Sequence, residues 1–94
     1  MGKYSVNKTP LDVLISIAQN VAILRKEQGW TQLNLAEKSD VSYGSIKRFE
    51  RTGQISFESL LKIAESLGKL SEFESILLLP NDSQKIKQLF ESHQ

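Results

Sequence analysis

The sequence contains no cysteine, only two prolines and a single histidine. Without thiols there is no disulfide and no thiolate metal site, a usage that suits a cytosolic protein. The one imidazole, His93, lies one residue from the C-terminus. With no better-placed histidine, no cysteine and no Gly-rich phosphate loop, no nucleophile–base pair can be assembled. Glu72 and Glu74 are two apart, so on a helix they do not face each other. These absences point away from an enzyme, and neither a metal nor any other cofactor is expected. No run of 18 apolar residues occurs, so no membrane-spanning helix is expected. Residues 1–10 are polar and lack the apolar stretch of a signal peptide. Alternating β-branched runs and Asn-Gly or Asp-Gly turns are missing, which argues against hairpins.

What is present fits one helical domain. Its 94 residues are 39% apolar and 24% charged, a usual balance for a globular chain of roughly 100 residues. The net charge is only +1, which taken alone disfavours a polyanion partner. The total hides an asymmetry, however. Residues 1–51 hold eight basic and five acidic side chains, and residues 52–94 hold four basic and six acidic. The halves therefore carry +3 and −2. Local charge, not the total, determines whether a surface attracts phosphates.

The helix signals are local and repeated. Thr9–Pro10 supplies an N-cap and a proline at the first helical position, with Asp12 at the positive end of the dipole. Leu11, Leu14, Ile15, Ala18, Val21, Ala22 and Arg25 then recur every three or four residues, up to a stop at Gly29. Thr31, Ser42 and Ser56 are further N-caps. Each is preceded by an apolar residue (Trp30, Val41, Ile55) and followed at staple spacing by another (Leu35, Ile46, Leu60). Helices are expected near 32–39, 43–52 and 57–67, with Gly53 and Gly68 at their ends. Ser71 and Glu74 at capping-box spacing predict a fifth helix near 71–79. An amphipathic tail near 82–91 carries Ile86, Leu89 and Phe90.

The second and third helices are joined by so few residues that they must cross steeply, in helix-turn-helix geometry. Ala36 is small enough for that contact, and Ile46 and Phe49 line the inner side of the third helix. The string Trp30-Thr31-Gln32, Leu35-Ala36-Glu37-Lys38, Val41-Ser42, Ser45-Ile46-Lys47-Arg48-Phe49-Glu50 resembles the phage-repressor class, the Cro/C1-type or Xre-like family. Ser59-Leu60-Leu61-Lys62-Ile63-Ala64 and Leu67-Gly68 continue the resemblance, which is strong over half the chain and holds in outline over 17–79.

The resemblance implies an all-α, five-helix DNA-binding bundle over residues 10–79. A flexible arm over 1–9 would precede it and a helical tail over 80–94 would follow. The third helix would enter the major groove. Tyr43, Gly44, Lys47 and Arg48 would face base edges, with the Arg48 fork suited to guanine O6 and N7. Gln32, Ser42 and Arg51 would contact phosphates, assisted by backbone N–H groups at the helix start. Arg25 and Glu50 match a pair that bridges the first and third helices. Two positions depart from the family pattern. Asp40 stands where glycine is usual, at a position that often adopts positive φ. Gly44 stands where a long polar side chain often reads a base, which implies more reliance on DNA shape.

Other residues have plainer readings beside functional ones. Trp30 is a staple residue before it is a base-stacking platform. Lys3 and Lys8 fit a minor-groove arm or a solvated tail. Phe73, Leu77 and Leu78 form a surface for a dimer or another protein, or complete the monomer core. The expected function is a cytoplasmic transcriptional regulator, a homodimeric repressor on double-stranded DNA, with no small-molecule effector evident. Residues 49–56 and the region after Gly68 also resemble antitoxins encoded beside HipA-like kinases, so a toxin protein is the alternative partner.

Overall fold

A computed structural model describes residues 8–79. The expected arm over 1–9, apart from Lys8 and Thr9, and the tail over 80–94, with Ile86, Leu89, Phe90 and His93, lie outside these residues. Four α-helices follow in order: α1 Pro10–Glu27, α2 Gln32–Ser39, α3 Tyr43–Thr52 and α4 Phe57–Ser66. A short 3-10 helix, Leu70–Ser75, closes the described chain. The described residues contain no strand.

Each α-helix begins with a hydroxyl that takes up a free backbone N–H. Thr9, Thr31, Ser42 and Ser56 accept from the N–H groups of Asp12, Asn34, Ser45 and Ser59. Asp12 and Asn34 return the bond to their caps, so α1 and α2 start with complete capping boxes. Such a cap is worth about 1 kcal/mol, a large increment for helices of eight to ten residues.

The helix ends are equally local. Three residues, Asp40 to Ser42, separate α2 from α3. Asp40 sits in the left-handed region at φ 61°, ψ 32°, and its N–H bonds the Ala36 carbonyl. Aspartate tolerates this conformation because its short polar side chain can bond locally. It therefore makes the turn for which the resemblance implies glycine.

The core is a single cluster of small and medium side chains. Leu35, Ile46 and Ile63 are completely inaccessible, and Phe49 is nearly so. Ala18, Val21, Ala36, Val41 and Leu60 pack with them. Trp30 and Phe73 lie partly buried against the same cluster. α3 is held between α1 and α2, and α2 also packs on α4.

The apolar stripe of α1 is buried over only part of its length. Leu11, Leu14 and Ile15 are exposed, and full burial begins at Ala18. The end of α3 reaches α1 at Leu14–Ile15, where Gly53 meets its backbone. The earlier turn of α1 extends past that contact. One expectation needs correction: the fifth helix is a 3-10 helix ending at Ser75 and does not run to 79. The capping box expected at Ser71 and Glu74 is not formed. The cap residue is Lys69, without a side-chain bond. Ile76, extended at ψ 143°, ends the helical course, and Leu77 follows at φ 66°.

Candidate nucleic-acid interface

The site is built around how α3 is held. Ile46 and Phe49 face inward and are buried. Glu50, one residue on, meets Arg25 of α1. Arg25 Nε donates to Glu50 Oε2 at 2.8 Å and Nη2 donates to Oε1 at 3.0 Å. The remaining arm, Nη1, donates to the Trp30 carbonyl at 2.8 Å. The two side chains are only 9% and 7% exposed. Burial pushes the Glu50 carboxyl up. Hydrogen bonds from Arg25 and Gln32 and the charges of Arg25 and Lys26 outweigh that, so it is held below the usual carboxylate value.

This pair ties three elements together, since Gln32 at the start of α2 also donates to Glu50 Oε1 at 2.9 Å. The amide of Gln32 has two N–H donors. One of them is used on Glu50. The N–H groups of the first turn of α2 have no partner within the helix. Gln32 is therefore placed by the same carboxylate that anchors α3.

The outer face of α3 has a different character. Tyr43, Gly44, Ser45, Lys47, Arg48 and Arg51 are all exposed. The only carboxylate of α3, Glu50, faces inward in its ion pair, so the exposed charges on this helix are all positive. Lys47 Nζ lies 4.8 Å from the centre of the Tyr43 ring. Ser42 caps the helix and donates its own proton to Ser45 Oγ at 2.8 Å. At Gly44 an added Cβ would meet no atom within 4 Å, so the helix presents bare backbone between Tyr43 and Lys47. Arg48 Nη2 donates to Gln54 Oε1 at 2.6 Å.

The expected base-facing set and Arg51 thus share one exposed helix face, and Gln32 and Ser42 stand at two helix starts. Trp30 is partly buried on the core, with Lys38 Nζ 4.9 Å from its ring centre. Its ring is engaged within the protein. Phe73 packs edge-on to Phe57, with ring centres 6.1 Å apart. Leu77 is 97% exposed and Leu78 40%. The sequence reading missed Gln54 and Thr52, which bond to Arg48 and to each other. Thr52 ends α3 and Gln54 follows it, and no periodicity marks a loop residue that folds back onto the helix.

Among the described residues no group of histidine, cysteine, aspartate or glutamate is arranged to hold a metal. No helix among them is long and apolar enough to cross a membrane. A capped positioning helix, a three-residue turn and an exposed basic helix locked from behind define a helix-turn-helix protein. A family model described as Helix-turn-helix matches residues 21–74, more than half the chain. The chain belongs to this family, the Cro/C1-type, Xre-like helix-turn-helix proteins, which are DNA-binding transcriptional regulators and generally not enzymes. Searches of curated proteins and of solved structures give no match.

Proposed function

We propose that the protein is a sequence-specific repressor of the cytoplasm that binds a palindromic operator as a homodimer. The observation that carries this reading is the outer face of α3: exposed, positive, and fixed in place by a buried ion pair on its other side. In this reading α3 lies in the major groove. Arg48 addresses a guanine edge, and Lys47 a base or a phosphate. Tyr43 offers its hydroxyl to a base or its ring to a thymine methyl. Gly44 lets the backbone come close, and Gln32, Ser42 and Arg51 contact phosphates and set the register. Repression is steric, through occupation of the operator. A two-fold dimer places half-sites about 34 Å apart, one turn of DNA.

Selection of bound DNA from a random pool, followed by a salt titration on the winner, tests this reading. The expected result is a palindrome whose affinity falls steeply with salt, each neutralised phosphate adding about −0.9 to the slope. Failure to enrich any sequence overturns it.

A second reading starts from one observation. Ile76, Leu77, Leu78 and Leu79 are four consecutive apolar residues, all exposed. Such a run suits a protein surface. That surface is either the second copy or, in the second reading, a toxin kinase neutralised by this chain while it represses its own operon. Leu77 and Leu78 would contribute most, while Phe73 is already partly engaged with Phe57. Sedimentation of the pure protein separates the two. A stable homodimer that Leu77→Ser dissociates supports self-association, whereas a monomer that purifies from its host with a kinase-sized protein supports the toxin.

A further inference from the structure

Arg48 does not stand free on α3. Its backbone carbonyl accepts the Thr52 hydroxyl at 2.7 Å. The Thr52 oxygen accepts the Gln54 N–H at 3.1 Å. The Gln54 side-chain oxygen accepts Arg48 Nη2 at 2.6 Å. These bonds close a ring that begins and ends on Arg48. Gly53 makes the ring possible. At φ 83° it reverses the chain just after α3, and it is packed so closely that a Cβ there would lie 3.0 Å from the Leu14 backbone of α1. The turn that carries Gln54 is therefore anchored to the core on one side and to Arg48 on the other.

The chemistry of the partner matters. A guanidinium has five N–H donors, and a neutral amide oxygen takes up one of them without cancelling the charge. Whichever Nη2 hydrogen Gln54 accepts, one two-donor edge of the fork stays open. Such an edge is what bidentate recognition of guanine O6 and N7 requires. A carboxylate in the same place would hold the fork as well, but it would set a negative charge beside the DNA backbone. A long exposed arginine otherwise loses rotamer freedom when it docks, and fixing it beforehand reduces that loss.

We propose that Gln54 is a positioning residue that sets the base preference of Arg48. The proposal rests on the reading of Arg48 as a base-contacting residue. Gln54 lies outside the recognition helix, in the loop to α4, yet it governs what the helix discriminates.

The test uses the full chain and the operator chosen by random-pool selection, with every single-base variant of that operator as competitor. Arg48→Ala is expected to abolish the preference at one base pair. Gln54→Ala is expected to weaken the preference at that same pair by about three- to tenfold, the reach of one solvent-exposed hydrogen bond. Relative affinities at all other pairs, and the melting temperature, should stay as in the parent. Gln54→Glu should restore the preference, because a carboxylate still accepts from Arg48, while binding every sequence more weakly. In an Arg48→Ala background Gln54→Ala should change nothing further. If Arg48→Ala is base-specific but Gln54→Ala weakens all sequences alike, the positioning role is overturned and the Arg48 reading stands. If Arg48→Ala itself weakens all sequences alike, the reading of Arg48 is overturned, and the role of Gln54 with it.

Discussion

The two faces of α3 share ten residues of one helix and almost no chemistry. The inner face is apolar except for Glu50, whose two carboxylate oxygens accept from Arg25 of α1, Oε1 also from Gln32 of α2. The outer face is polar and positive, and among the described residues its hydrogen bonds run to its own helix and to the turns on either side of it. Inner residues fix where the helix sits, so substitutions there should act on stability. Outer residues contribute little to the fold, so substitutions there should act on binding. The division can be broken at defined positions.

The largest effect is expected at Phe49, which is 1% exposed at the centre of the core. Phe49→Ala removes a whole buried phenyl ring and should cost about 3–5 kcal/mol. A chain this small has few kcal/mol to lose, so chemical denaturation should show a largely unfolded protein at room temperature. A cooperative transition close to that of the parent would mean that α3 is not held from this side.

Next comes the ion pair. Removing one partner leaves the other buried and uncompensated, and Glu50→Ala should cost about 3 kcal/mol. Arg25→Ala should likewise lower the melting temperature. The pair also predicts a pH dependence. Glu50 has a depressed pKa in the folded protein, so its contribution is fully present above the ordinary glutamate value. That contribution is lost as the pH falls through the lower, folded value. Thermal melts from pH 7 downward should show the parent losing stability in the acid range, and Glu50→Gln should lose less over the same interval. Equal slopes for the two would exclude Glu50 as the titrating group.

Gly53 stands where the inner face ends. Its φ of 83° and the Leu14 backbone at 3.0 Å leave no place for a methyl group. Gly53→Ala should cost about 1–3 kcal/mol through strain and displacement of α1. It should also disturb Arg48 through the loop that carries Gln54. A variant with unchanged stability would show that the contact between α1 and the end of α3 can give way.

Much of this division was legible in the sequence because its causes are local. Thr31, Ser42 and Ser56 are followed by apolar residues at fixed spacing, and each caps the helix it precedes. Asp40 in the left-handed turn was implied by the resemblance, which has glycine at that place, and aspartate tolerates the conformation it adopts there. The Ser71–Glu74 pair had the spacing of a capping box but not its structure. Spacing alone says nothing of what a short helix packs against, and beyond Phe73 the described chain meets little of the core. Likewise the stripe of α1 gave no sign of where its cover ends. The Arg48–Thr52–Gln54 ring was hidden for another reason. It depends on a reversal at Gly53 that brings a loop residue beside the preceding turn, and neither a period of 3.6 nor a cap signature encodes that.

The smallest effect on stability, and the sharpest test of the division, lies at Gly44. Like Gly53 it is a glycine of the α3 region, but it sits on the outer face with open space where a side chain would begin. It lies in the first turn of the helix and has no positive φ. Alanine loses less backbone entropy than glycine on entering a helix, so Gly44→Ala should raise stability by about 0.5 kcal/mol. On DNA the sign should reverse. If the bare backbone at Gly44 approaches the base pairs, a methyl group there must be accommodated, and affinity for the selected operator should fall while non-specific affinity holds. A more stable protein that binds its operator less well would place Gly44 at the DNA. A more stable protein with unchanged operator affinity would move the contact surface away from this turn of α3. A less stable one would show that the space outside Gly44 is not open.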